Sequence, residues 1–276
     1  MERRYRMNCQ EFIFDGISSK EYELQICSFD GSNAGSATGG NKIEFTTFKP
    51  SNSNKWVKTG ATYNEQLTFT FQICKNPCNQ TIEQPFTERE IAFIMRWLIQ
   101  KDYKYLSFVQ EGYEDIYYNC QINVERYLIG GQCFGFELTV VCDAPFGWSD
   151  IKTTTISAST SKSIDLYDSS DEIGSIYPTV EIFVGQYLSK RTIELKNELT
   201  GIKTTIKNCV AGEHITMDRM IITSSKQETD HKTLYNDFNW DWFTIGNTFN
   251  DRINPITVTG NCDVVLCWRV PRKAVI

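Results

Sequence analysis

The chain has 276 residues, 41% hydrophobic and 13% aromatic, with 17 Phe and 13 Tyr, a globular composition weighted towards strand formers and long enough for one large domain or two ordinary ones. A formal net charge of −6 argues against nucleic acid as a partner, because that recognition needs clustered Lys and Arg. No apolar run reaches the length of about 18 residues that a membrane-spanning helix needs.

The one basic cluster, Arg3, Arg4 and Arg6, is followed by Met7-Asn8-Cys9-Gln10-Glu11 rather than by an apolar stretch. It reads as a solvated or interface-bound terminus and not as a secretory signal, so a protein made and kept in a cytoplasm, or released by lysis, is expected. After Asp30 comes GSNAGSATGG, a composition that favours a flexible loop or a segment ordered by a neighbouring subunit. It carries neither the lysine of a phosphate loop nor the spacing of a dinucleotide fingerprint. The stretch from Phe48 to Thr62 is too polar for a core and is expected to protrude as an arm. Trp56 and Val57 would form its apolar tip and are candidate inter-subunit or partner contacts.

From Gln66 to Ile73 apolar and polar residues alternate without a break, the mark of a strand with one wet face. A helix should follow from Glu88 to about Lys101. Thr87 with Glu90 makes a capping box, and Ile91, Ile94, Met95 and Leu98 keep helical spacing, with Phe93 and Trp97 widening the stripe towards the core; the alternative makes these two rings a partner-docking surface. Asp115 to Glu125 then places Ile116, Tyr118, Cys120, Ile122 and Val124 on one face. Beyond Gly130-Gly131, a sequence suited to a tight reversal, Phe134, Phe136, Leu138, Val140 and Cys142 form a matching face, so a long hairpin is expected.

Pro145 and Gly147 end this pattern and divide the chain into residues 1–145 and 146–276. In the second part alternation resumes at Val180, Ile182 and Val184, then Ile193 and Leu195, then Ile202, Thr204 and Ile206, and the last two strands flank Gly260-Asn261. Short strands at this spacing, without a second convincing helix, predict a β-sandwich.

The residues that could carry chemistry are few. Ten cysteines in a long chain with no secretory signal read mostly as buried free thiols. Cys74-x3-Cys78 is a loose pair without a second pair to complete a zinc site. The two histidines, His214 and His231, read as exposed loop residues. Asp165, Asp168, Asp171 and Glu172 could ring a cation but lack the EF-hand pattern, and the Asn79 sequon has no meaning in an unsecreted chain. No nucleophile elbow, P-loop or HExxH motif occurs, so neither an enzyme nor a cofactor is expected; a glycosidase with facing carboxyls is the residual enzymatic alternative. Trp240 and Trp242, two apart, would share one face of a strand and so enter a core. The alternative makes them glycan contacts and the chain a carbohydrate- or receptor-binding module.

Several landmarks, taken in order, resemble one family. They are Phe12 to Leu24 (FIFDGISSKEYEL), FTFQICKNPC from Phe69, Arg96-Trp97-Leu98 followed by Tyr103 to Phe108, Cys142 to Trp148 (CDAPFGW), Ile256 to Asp263, and Trp268 to Lys273. Together they resemble the distal tail proteins of long-tailed bacteriophages. The resemblance implies a mainly β protein, with an N-terminal tail-tube-like β-barrel carrying one helix and a C-terminal galectin-like β-sandwich. It implies a homohexameric ring at the virion tail tip, assembled in the host bacterial cytoplasm. The ring would join the tail tube protein and the tape-measure end to the tail-tip hub protein, and give receptor-binding proteins an attachment point.

Overall fold

The structure, a computed structural model, describes residues 11–29, 43–76, 84–186, 191–248 and 250–273. The basic cluster Arg3-Arg4-Arg6, the Gly/Ser loop after Asp30, Cys9, Cys78 and the Asn79 sequon lie outside the described residues. The chain divides into two compact units, one running to Ser149 and including the residues from Arg272 onward, the other Asp150–Pro271.

The first unit contains β1 (Phe12–Phe14), β2 (Ile17–Ser18), a 3-10 turn (Ser19–Tyr22), β3 (Leu24–Cys27), β4 (Ile43–Phe48), β5 (Val57–Tyr63), β6 (Thr68–Lys75), α1 (Glu88–Leu98), β7 (Lys104–Phe108), β8 (Tyr118–Ile129), β9 (Gln132–Cys142) and β10 (Gly147–Trp148). Seven strands form one antiparallel sheet in the order β2-β1-β7-β8-β9-β6-β3. The alternation from Leu67 to Ile73 becomes β6, with Leu67, Phe69, Phe71 and Ile73 all buried. Gly130 and Gly131 have φ of 58° and 82°, the double positive φ of a type I′ turn, and they connect β8 to β9. Here the reading needs one correction. Tyr127 faces Gly135 and Leu128 faces Cys133, so Phe134 has no partner across the ladder. This bulge shifts the phase: Cys133 is buried and Phe134 only half-buried.

The closed barrel expected from the resemblance is not formed by the described strands; the sheet is open, with β2 and β3 as its ends. Flat, seven strands would hold those ends about 29 Å apart, at roughly 4.8 Å per strand. The link from Ser18 to Leu24 spans about 20 Å at most. The sheet must therefore curl until its edges approach the 3-10 turn, without a ladder closing them.

Helix α1 starts as its sequence dictates. The Thr87 N–H donates to Glu90 Oε2 (2.7 Å) and the Glu90 N–H to Thr87 Oγ1 (3.3 Å). Burial works against charge on Glu90, but bonds from Lys75 and Thr87 outweigh it and hold the carboxyl below its usual range. The helix ends at Leu98 rather than near Lys101, where Gln100 folds back to donate to the Arg96 and Trp97 carbonyls (3.0 and 3.1 Å). Trp97 enters the core, stacked between Phe12 and Tyr22 (5.6 and 4.7 Å), and its Nε1–H donates to the Phe14 carbonyl (3.0 Å). Phe93, expected beside it, points outward instead and is half exposed.

The second unit contains β11 (Lys152–Ala158), β12 (Ser161–Tyr167), β13 (Gly174–Ile176), β14 (Thr179–Val184), β15 (Ile193–Asn197), β16 (Lys203–Ile206), β17 (His214–Asp218), β18 (Ile221–Ser224), a single helical turn α2 (Leu234–Asp237), β19 (Ile245–Asn247), β20 (Ile253–Thr259) and β21 (Cys262–Trp268). Sheets of five strands (β11-β21-β14-β17-β18) and four strands (β12-β20-β15-β16) bury Ile182, Val264 and Leu266 of one against Leu195, Ile256 and Val258 of the other in a common core. The strands flanking Gly260-Asn261 belong to different sheets, so this turn is an arch across the sandwich and not a hairpin. Gly260, at φ 133°, donates its N–H to the Thr160 carbonyl (2.9 Å) on the neighbouring crossing.

Candidate assembly surfaces

The 43–63 hairpin leaves the first unit at Tyr63, whose ring stands edge-on to Phe146 (6.4 Å). Among the described residues strands β4 and β5 pair only with each other, and Phe45, Phe48, Trp56 and Val57 are all exposed, Trp56 to 66%. Val57 lies directly across from Phe48, and Trp56 precedes it at the end of the turn that leads into β5. Lys58 lies over the Phe45 ring (4.4 Å). A lone two-stranded hairpin is marginal in water, and an apolar one gains most when another surface covers it.

A second feature of this unit is a groove of about 280 Å³ between the 3-10 turn and α1. Tyr22, Phe86, Phe93 and Ile94 form its apolar walls, with Glu21 and Glu23 on the rim. Glu90 also reaches it but is engaged by the capping box and by Lys75 (2.8 Å), whose ammonium covers Phe86 (4.9 Å). Arg89 and Arg96 flank Phe93 on the outer face of the helix (5.6 and 5.7 Å).

In the second unit Trp240 and Trp242 do not lie on a strand, which overturns the expectation that both enter the core. Trp240 adopts φ 61°, and its indole N–H donates to the Tyr235 carbonyl (3.1 Å). The ring lies near-parallel to Tyr235 (6.3 Å, 17°) and is 55% exposed. Trp242 is half-buried, edge-on to Phe238 (5.1 Å, 72°).

The histidines separate in the same way. His214 is half-exposed and stacks on Phe183 (4.3 Å). His231, expected on the surface, is buried. Its Nδ1 meets Glu213 Oε1 at 2.7 Å and its Nε2 lies 3.4 Å from Asp237 Oδ2. Ser224 Oγ–H (2.5 Å) and the Val210 N–H (2.8 Å) also donate to Glu213. One signal for this was readable, since the alternation Ile215, Met217 extends back to Glu213 and so puts a carboxylate on the buried face. Asp168 is likewise buried. Its oxygens accept bonds from the Ser170 N–H and hydroxyl (3.0 and 2.5 Å) and from Asn247 Nδ2 (2.5 Å), so it acts as a turn cap and does not ring a cation with Asp165, Asp171 and Glu172. Among the described residues no group of three or more His, Cys, Asp or Glu could hold a metal. The described cysteines are free thiols. Burial, then the nearby Asp143, pushes Cys142 up to about 12; burial, then Glu213, does the same for Cys209, and burial, then Asp263, raises Cys262 to about 11. None of these is poised as a nucleophile.

Two antiparallel β units, with apolar surface held outward on a hairpin, define a protein of the β-rich structural class. The chain belongs to a phage tail protein family. Residues 7–144 match the model described as the phage tail protein N-terminal domain, and residues 146–268 match the phage tail C-terminal domain. Its fold is that of the SPP1 Dit (gp 19.1) protein, whose crystal structure it matches with a TM-score of 0.63 at 12% identity over 94% of this chain and 98% of that one. A chain of the phage P2 baseplate in its activated conformation with Ca matches with a TM-score of 0.52 at 10% identity, over 98% and 100%. No curated protein sequence matches the chain.

Proposed function

We propose that the chain is a distal tail protein that works by shape and contact rather than by catalysis. Copies of it form a closed ring, hexameric as in the family it resembles, at the virion tail tip after assembly in the host cytoplasm. The ring joins the tail tube protein and tape-measure end to the tail-tip hub protein and carries receptor-binding proteins, with the second unit as a galectin-like sandwich. The SPP1 relative in fold is described as a paradigm of hub adsorption apparatus in phages that infect Gram-positive hosts, which supports the placement.

The observation that carries the ring reading is the 43–63 hairpin, whose strands pair only with each other among the described residues and whose apolar tip is exposed. Identical copies close into a ring only through a heterologous contact, in which one patch of each chain meets a different patch of the next. A projecting apolar arm suits such a contact. Native mass spectrometry and negative-stain imaging of the purified protein test it: a closed ring with a central channel is expected, and a monomer alone at micromolar concentration would defeat the proposal.

A second reading has one observation in its favour, the exposed near-parallel rings of Tyr235 and Trp240. Such a surface suits the C–H face of a sugar, as stacking platforms do for other flat ligands. Glycan-array binding that disappears in Trp240→Ala would establish it.

A further inference from the structure

We infer that the acidic-rimmed groove between the 3-10 turn and α1 receives the hairpin tip, Lys55 to Lys58, of a second copy of this chain. This rests on the ring reading above and names the surface that completes it.

The argument begins with what the two patches lack. Trp56 is 66% exposed and stands between Lys55 and Val57-Lys58, an apolar pair bracketed by cations. The groove has the opposite pattern, Glu21-Tyr22-Glu23, an aromatic residue bracketed by carboxylates, facing Phe86, Phe93 and Ile94 across about 280 Å³. That is space for on the order of nine waters at ~30 Å³ each, room enough for one indole. Burying a large aromatic against such walls is the kind of contact that dominates protein interfaces.

Charge then says which side of the groove the lysines meet. Of the ionic groups around the groove, Lys75 is matched by Glu90 and Lys20 by Glu11, and Arg89 and Arg96 lie over Phe93 on the outer helix face. The turn side is left with Glu21 and Glu23, and there the two lysines of the tip find complementary partners at the rim, where charges steer docking and reject wrong registers. The helix side, where Arg89 and Arg96 lie over Phe93, offers these lysines no such partners. The chain's own tip does not occupy its own groove, so the contact is made between copies, patch to different patch, as ring closure requires.

The experiment places p-benzoylphenylalanine at position 56 of the full-length protein, mixes ¹⁴N- and ¹⁵N-labelled copies, irradiates, and maps the cross-linked peptides. Heavy–light cross-links from position 56 to peptides holding residues 21–23 or 86–94 are expected. A ring in native mass spectrometry whose cross-links fall elsewhere overturns this inference and leaves the ring reading intact; a protein that stays monomeric removes both. A charge exchange gives the second arm. E21K/E23K and K55E/K58E should each reduce the ring fraction at least tenfold with unchanged circular dichroism, and the combined variant should recover it. Two weakened variants with no recovery on combination would also overturn the inference.

Discussion

His231 and Glu213 meet at 2.7 Å inside a core that excludes solvent from both side chains. They tie together three pieces of chain that carry few apolar residues of their own: the entry to β17, the loop after β18, and α2 through Asp237. Removing one member of a buried hydrogen-bonded pair leaves the other without its partner, which typically costs about 1–3 kcal/mol. His231→Leu should therefore destabilise the protein by about 2 kcal/mol in urea unfolding followed by fluorescence. A loss below about 0.5 kcal/mol would mean that the contact does little to hold these pieces together.

Gly135 is required by what lies over it. A Cβ there would stand 2.0 Å from the Phe29 ring and 2.5 Å from the Ile73 carbonyl oxygen, while Phe29 is held by its stack on Tyr127 (4.0 Å). Gly135→Ala should cost roughly 3 kcal/mol. Adding Phe29→Ala should recover only part of the loss, because the backbone oxygen remains. Full recovery would place the whole conflict on the ring.

The turn between β17 and β18 carries strain that can be relieved. Arg219 and Met220 both have positive φ, 48° and 61°, in a turn position that normally takes Asn-Gly. Met220→Gly should stabilise the protein by about 1 kcal/mol, read as a higher urea midpoint at unchanged slope. A lower midpoint would show that the Met220 side chain contributes more by contact than its backbone loses in strain.

Alkaline pH should weaken the fold in a defined window. Burial raises the thiols of Cys262 to about 11 and of Cys142 and Cys209 to about 12, against about 8.5 in an unfolded chain. Above about pH 8.5 the unfolded state releases protons that the folded state keeps, so stability falls as pH rises, by up to ~1.4 kcal/mol per unit per thiol. Below about pH 8 these groups contribute no slope. Urea melts at pH 8, 9 and 10 should show the decline, and Cys209→Ala should make it shallower. A flat profile would show that the thiols ionise as readily inside as outside.

Local rules explain what could be read from the residues. The unbroken alternation ending at Ile73, the Thr87–Glu90 capping box and the Gly130-Gly131 reversal each depend on neighbours within a few positions, and each is found in the structure as expected. What could not be read depends on chain far away. Phe134 loses its phase to a bulge set by the facing strand. Phe93 and Trp97 divide because only Trp97 finds Phe12, Tyr22 and the Phe14 carbonyl. Trp240 leaves the pattern through a positive φ that no indole advertises. The groove is built from the 3-10 turn and a helix more than sixty positions on, so no window of sequence contains it. The Trp56 tip was legible for the opposite reason, since its flanking Asn, Ser and Lys residues admit no core.

Strands β3 and β6 lie side by side in the sheet, although the whole 43–63 hairpin separates them in the chain. The hairpin is thus an excursion between neighbours, and its length and content can drift without moving any rung of the ladder beneath it. Lineages could exchange this segment as a cassette and gain a new fit to adjoining parts while inheriting the same scaffold.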